Sequence, residues 1–207
     1  MLNFDQLRAA SIFDVPFRFI AAHDVITAKA AADIRRDYPS ISKSGYLPLS
    51  KLECRGAFAA LIEDLQSAQL ARTLGDLLEI DLSDKPRMIT VRKLSKNGDG
   101  RIHNDSEAKI CTMLIYLNES WDAAAGGAIR ALNGHEDMND FAFETPPLAG
   151  HVFAFKRSAN SWHGHPPFSG ERYVVQTTFL ISQEELDRKE NRGGAQLFLK
   201  RINPFAR

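Results

Sequence analysis

The chain has 207 residues, with 26 basic and 26 acidic side chains. That length suits one domain able to bury a sizeable core. The balanced charge supplies no global field of the kind that draws in nucleic acid or anionic membrane.

In chain order, residues 1–22 are mixed, and apolar Phe13, Val15, Phe17, Phe19 and Ile20 predict a strand. Asp24 is placed to cap an alanine-rich helix running to about Tyr38 and stopping before Pro39. Pro39 to Ser50, with Gly45, Pro48 and several serines, reads as a loop. Two helices follow over about 56–68 and 67–79, with Phe58, Leu61, Ile62 and Leu65, then Leu70, Leu74, Leu77 and Leu78 at helical spacing.

From Arg87 the texture changes to short strands. They are expected at Met88–Leu94, Ile110–Leu117, Ala128–Leu132, Phe141–Phe143, His151–Phe155 and Tyr173–Ile181. Lys96–Gly100 forms a turn cluster and Trp121–Gly127 a link rich in glycine and alanine. This pattern indicates a β-sandwich or barrel over 87–182. Residues 1–86 then make a helical and mixed segment packed on it, and 183–207 a C-terminal extension, all within one domain. Gln183 to Glu190 reads as helix. Arg192 to Arg207 carries Leu197, Phe198, Leu199, Ile202 and Phe205, which suit docking on the body; a partner-binding tail is the alternative.

Cys54 and Cys111 read as reduced thiols. The N-terminus lacks a basic start followed by an apolar run, and no stretch approaches a membrane span. A cytoplasmic location with no membrane or nucleic-acid partner is expected; oligomeric state is open.

The residues that carry chemistry are His103, Asp105, His163 and Arg172. On an extended strand, residues two apart point to one face, so His103 and Asp105 can reach one ion. His163, sixty positions later, can add a third ligand from another strand. Two imidazoles and one carboxylate on one face of a metal leave the opposite positions open, as in non-haem Fe(II) oxygenases. Arg172 can pair bidentately with the carboxylate of an organic acid. Singly, each has a plainer reading: His103 as a turn residue after Gly100, Asp105 as a capping carboxylate, His163 as a loop residue, Arg172 as a strand-edge charge. The spacing His163-x-His165 also offers a different metal pair, as in cupin-like sites; Trp162 beside His163 favours the first set. His23, His135 and His151 read as isolated.

Together these runs resemble the Fe(II)/2-oxoglutarate dioxygenase superfamily, in its prolyl-hydroxylase-like branch. The matching runs are Gly100 to Asp105, Leu114 to Asn118 with Trp121 behind, Gly126 to Arg130, Pro146 to Phe155, Ser161 to Gly164 and Gly170 to Tyr173. The resemblance implies a mostly β fold with flanking helices around a double-stranded β-helix, or jelly-roll, core. It implies Fe(II) held by His103, Asp105 and His163, with 2-oxoglutarate as cosubstrate, its distal carboxylate on Arg172 and Tyr116, and O₂. The implied reaction is hydroxylation of an unactivated C–H bond of a protein side chain, amino acid or small molecule, releasing succinate and CO₂. A non-catalytic or cupin-like metal-binding β-helix, serving as sensor or binding module, is the alternative. The sequence departs from the family in one place: where a tyrosine commonly precedes the first histidine by about ten residues, it reads Val91-Arg92-Lys93-Leu94, and Lys93 or Arg92 there either adds positive charge near the cosubstrate in place of that tyrosine or faces solvent. Ser40–Ser50, Lys96–Arg101 and Asn133–Phe141 are candidate substrate-facing segments. Arg130 suits either the site or a structural ion pair.

Overall fold

The computed structural model describes residues 1–191. A short helix α1, Phe4–Arg8, opens the chain, followed by strands β1, Ser11–Phe13, and β2, Phe19–Ala22. Helix α2, Ala28–Arg36, then strand β3, Leu47–Pro48, and helices α3, Gly56–Gln66, and α4, Ala68–Leu78, lead into the strand-rich part. There β4, Arg87–Ser95, is followed by β5, Lys109–Tyr116, β6, Ile129–Leu132, and β7, Phe141–Thr145. Then come β8, Val152–Lys156, β9, His163–Gly164, and β10, Gly170–Leu180. Residues 183–191 are helical. The expectations for 192–207 lie outside the described residues.

The strands form two facing sheets. The larger has the order β1-β2-β8-β5-β10-β4-β3 and the smaller β7-β6-β9. Neighbouring strands in both sheets run antiparallel. This is the expected double-stranded β-helix. The larger sheet recruits β1, β2 and β3 from the part of the chain that precedes residue 87.

Strand alternation divides the core in two. On β5, Cys111, Met113 and Ile115 turn toward the helices, where they meet Ile34, Phe58, Leu61 and Leu74. Leu114 and Tyr116 turn inward and meet Phe19, Phe153, Phe155, Val174 and, from the smaller sheet, Ile129 and Ala131. A strand covered on both faces needs apolar residues throughout, which explains the unbroken run in this segment. Cys111 is buried and Cys54 half-buried; both are free thiols.

Several local expectations are corrected. α2 is capped by Thr27, whose hydroxyl accepts from the Ala30 N–H at 3.2 Å; Asp24 instead lies three residues before the cap, at φ 57°. Residues 1–22 hold a helix as well as strands, because the Asn3 side chain accepts from the N–H groups of Asp5 and Gln6 and starts α1. The loop at 39–50 contains β3, which pairs antiparallel with β4 through Leu47 and Pro48. Pro48 is tolerable there because β3 is an edge strand. The two predicted helices stand within a residue or two of their expected bounds. Ser67 ends α3 and begins α4, its hydroxyl accepting from the Leu70 N–H.

Candidate metal and cosubstrate site

His103 and Asp105 do not lie on a regular strand. His103 instead forms an isolated antiparallel bridge with His163, the two exchanging backbone hydrogen bonds at 3.0 Å in each direction. Directly opposed residues of such a pair project their side chains to the same side. Here the two imidazole centroids are 4.2 Å apart. The backbone thus pairs two residues sixty positions apart, where the sequence suggested a within-strand pair two apart. His163 opens β9, a two-residue strand too short to show any periodicity, and β6 holds it in place by pairing Ala131 with His163.

One ligand atom each from His103, Asp105 and His163 lies within 4.8 Å of the others. Both histidines are oriented alike. The Nδ1 of His103 is 2.8 Å from the Arg101 carbonyl, and that of His163 is 2.8 Å from the Ser161 carbonyl. A carbonyl only accepts, so each Nδ1 carries the proton and each Nε2 keeps its lone pair for an ion. Burial, countered by Asp105, pushes His163 down to about 4, so the ring is neutral at physiological pH. Asp105 is buried, which works against its charge, but Lys109, His163 and Thr112 outweigh this and hold its carboxyl below the usual range. Lys109 Nζ donates to Asp105 Oδ1 at 2.6 Å and Thr112 Oγ1 to Oδ2 at 2.7 Å. Asn104 ties this segment to the turn before His163. Its amide donates to the carbonyls of Ser158 and Ala159, and its oxygen accepts from the Ser161 hydroxyl. Two imidazoles that can each present Nε2 and one ionised carboxylate suit a divalent first-row ion. His165 adds no atom to this cluster. Its ring packs against Gly100, where an added Cβ would come within 2.3 Å.

The same cavity contains Arg172, only 1% exposed. Its Nε donates to the Gly127 carbonyl at 2.9 Å and one Nη to the Tyr116 hydroxyl at 3.1 Å. Among the described residues no carboxylate pairs with it. An isolated buried cation is costly, of the order of several kcal/mol after relaxation, unless an anion compensates it. A carboxylate entering the cavity would do so. Tyr116 stays protonated, because burial raises its pKa and the neighbouring Arg172 only partly offsets that. Its O–H is therefore available to donate to the same anion. The fit to a dicarboxylic cosubstrate rests on this unpaired guanidinium beside the three-ligand cluster.

Local backbone positions these groups. The ladder from β10 to β4 slips between Glu171 and Val174, a bulge that sits beside Arg172. Asn118 catches the bulged strand, its Oδ1 accepting from the Tyr173 N–H at 3.0 Å. Gly127, at φ 79°, leaves room for Trp121 and Phe168; an added Cβ would lie 2.7 Å from the indole. That close approach lets its carbonyl reach Arg172.

Three open readings resolve. Arg130 forms a structural ion pair with Glu144 at 2.6 Å and lies over the Phe141 ring. Lys93 points away from the cavity, toward Glu171 at 3.4 Å and Tyr173. Arg92, on the opposite strand face, lines the cavity. Of the three proposed mouth segments, Ser40–Ser50 supplies Tyr46 to the lining and Lys96–Arg101 supplies Gly100. Sequence reasoning did not find Asn104, Lys109 or Thr112 as supports of the ligands. Thr112 was accessible to it, being in phase with Leu114 and Tyr116 on β5, and Lys109 lies only four residues from Asp105; Asn104 acts through tertiary contacts with Ser158 and Ser161.

Among solved structures, the fold is similar to a prolyl-4-hydroxylase of Pseudomonas putida, at TM-score 0.54 and 18% identity over 86% of this chain and 97% of that one. It is also similar to prolyl 4-hydroxylases of Phytophthora capsici, at TM-score 0.56 and 16% identity over 90% of this chain and 72% of that one. A third is the viral collagen prolyl hydroxylase of Paramecium Bursaria Chlorella virus-1, solved as a 2-oxoglutarate complex, at TM-score 0.51 and 12% identity over 80% and 96%. At such identities the likeness establishes the fold. No curated protein matches the chain. The family model described as the 2OG-Fe(II) oxygenase superfamily matches residues 89–180, the strand-rich core of this chain.

Proposed function

We propose that this chain is an Fe(II)- and 2-oxoglutarate-dependent dioxygenase in which His103, Asp105 and His163 hold the metal while Arg172 and Tyr116 hold the distal carboxylate of the cosubstrate. The observation that carries the proposal is one cavity containing both the three-ligand cluster and a buried guanidinium with no anionic partner among the described residues. When bound, iron and 2-oxoglutarate supply the oxidising chemistry that inserts oxygen from O₂ into an unactivated C–H bond with release of succinate and CO₂. The protein's own share is position and electrostatics. The two Nδ1–H bonds fix the imidazoles, Thr112 and Lys109 fix the carboxylate, and Phe155, 4.4 Å from the His163 ring, closes the apolar side. Leu114 and Ile129 complete an apolar wall against water. The primary substrate enters beside Tyr46 and Gly100. Fold neighbours that hydroxylate prolyl residues make an amino-acid C–H bond a natural target class.

The test is anaerobic titration of metal-free protein with Fe(II) and 2-oxoglutarate, following the visible charge-transfer absorption of the chelate. The wild type should develop the band. Arg172→Ala should need at least about ten-fold more 2-oxoglutarate, the cost of losing a charge-assisted hydrogen bond. Bound Fe(II) with no band would sink the proposal.

A further inference from the structure

Arg172 is one of two buried guanidiniums on this cavity. The other is Arg92, whose residue is 7% exposed. Its planar group stacks on the Tyr46 ring, with the guanidinium carbon 4.2 Å from the ring centroid. Its hydrogen bonding is sparse. Nη1 reaches Ser95 Oγ at 3.3 Å, and Nε, fully buried, has no partner among the described residues. The nearest carboxylate is Asp99, with Oδ2 3.5 Å from Nη1. That is well beyond the usual 2.7–2.9 Å or so of a charge-assisted bond. The same oxygen already accepts from the Lys96 N–H at 3.1 Å.

A buried guanidinium with most of its donors unused is costly. Nothing in the metal cluster relieves it. Arg92 and Arg172 also serve different parts of the cavity. Arg172 leans across to Tyr116 on β5, while Arg92 lies on β4, beyond β10, and leans to Tyr46 ahead of β3. Under the oxygenase reading, a single 2-oxoglutarate places its distal carboxylate on Arg172 and its other carboxylate on the metal. Arg92 is left over.

We propose that Arg92, stacked on Tyr46, is a specificity-determining residue that binds a free carboxylate of the primary substrate, which is therefore a small organic acid. This rests on the oxygenase reading above. A planar carboxylate matches the planar fork of the guanidinium and can engage it through its Nη groups. A monoanion fits better than a phosphate dianion, because Asp99 already offsets part of the charge. A small acid fits better than an acidic protein side chain, because Arg92 lies deep in a cavity of about 220 Å³. That is below the range of about 300–1,000 Å³ for drug-sized ligands, and 2-oxoglutarate takes part of it. Asp99 sits in the turn between β4 and the ligand segment, so an arriving carboxylate competes with it for Arg92.

The experiment uses the full chain, anaerobic and saturated with Fe(II) and 2-oxoglutarate so that Arg172 is filled. Acetate, propionate and L-alanine are titrated calorimetrically against acetamide, propionamide and L-alaninamide. Absorbance follows 2-oxoglutarate separately. The acids should bind roughly ten-fold or more tighter than their amides, as expected for a charge-assisted pair. Arg92→Gln should erase that preference and leave the 2-oxoglutarate affinity unchanged. Asp99→Asn should tighten acid binding, a gain that a merely structural Arg92–Asp99 pair does not predict. Equal binding of acids and amides, or no binding of either, overturns the proposal. So does an acid preference that survives Arg92→Gln. Loss of 2-oxoglutarate binding in Arg92→Gln assigns Arg92 to the cosubstrate, overturning this proposal but not the oxygenase reading. Absence of the band in the wild type sinks that reading instead. Where Arg92→Gln fails to fold, Asp99→Asn decides: tighter acid binding supports the proposal, and unchanged or weaker binding overturns it.

Discussion

Asp105 shows how much of a candidate metal site lies behind its proposed ligands. Both its oxygens already accept a hydrogen bond, from Lys109 and from Thr112, and its backbone carbonyl accepts from Arg157 Nε at 3.2 Å. These bonds fix the carboxylate plane and leave one further lone pair on each oxygen for an ion. Thr112→Val keeps the shape and removes one orienting donor. Anaerobic Fe(II) titration of this variant should show affinity weakened by about ten-fold or more, the usual cost of losing a supporting bond to a ligand. An unchanged dissociation constant would show that Thr112 is only packing. At this scale the sequence pointed to the candidate ligands but not to the residues that support them. Histidine and aspartate carry ligand chemistry in their identity, whereas a threonine or lysine becomes a support only through what it touches.

At the scale of elements, Tyr38 links the helical layer to the strands of the site. Tyr38, just past α2, stacks edge-on to Phe58 of α3. Its hydroxyl donates to the carbonyls of Arg92 at 2.9 Å and Val174 at 3.2 Å. These carbonyls belong to the facing residues where the β10–β4 ladder resumes after its bulge. One phenol thus ties the helices to the strands that carry Arg92 and Arg172. Tyr38→Phe removes the donor from a buried setting and should cost about 1–3 kcal/mol. Chemical denaturation should show a lower midpoint with an unchanged slope. No shift in the midpoint would mean that the bulge needs no support from the helices. The sequence identified α3, α4 and most strands because their apolar periods run over many residues. It missed α1, β3 and β9, which are five, two and two residues long. Elements so short carry no period, and capping or pairing alone decides them.

At the scale of the whole molecule, the two sheets and the helical layer enclose two cores, one dry and one that opens into the cavity. Polar groups line the opening where a uniform apolar core would be more stable, and ligands are expected to recover that stability. Saturating Fe(II) and 2-oxoglutarate, each at about a hundred times its dissociation constant, should each add about 2.7 kcal/mol. For a chain of this size that corresponds to a rise in Tm of roughly 5–10 °C per ligand. Anaerobic thermal denaturation with either, both or neither would test this. Arg172→Ala, at the same ligand concentrations, should keep the metal increment and lose about half or more of the 2-oxoglutarate increment. Retention of both would remove Arg172 from the cosubstrate site. No helix among the described residues is long and apolar enough to cross a membrane.

The sequence by itself determined the β-rich core and its helical companions, because strand alternation and helical spacing are local records of which side is buried. It also presented the four chemistry-bearing residues in an order that resembles one family. Only the tertiary structure decided how they meet. The bridge between His103 and His163 and the burial of Arg172 against Tyr116 and Gly127 are contacts between residues distant in the chain, whereas the carbonyls that set the two tautomers lie only two residues before each histidine. The same holds for Arg92. In the sequence it is one of two adjacent basic residues with no means of choosing between them. The pleat of β4 turns Lys93 outward to Glu171 and Arg92 inward to the cavity, and the direction of the side chain separates surface charge from cavity lining.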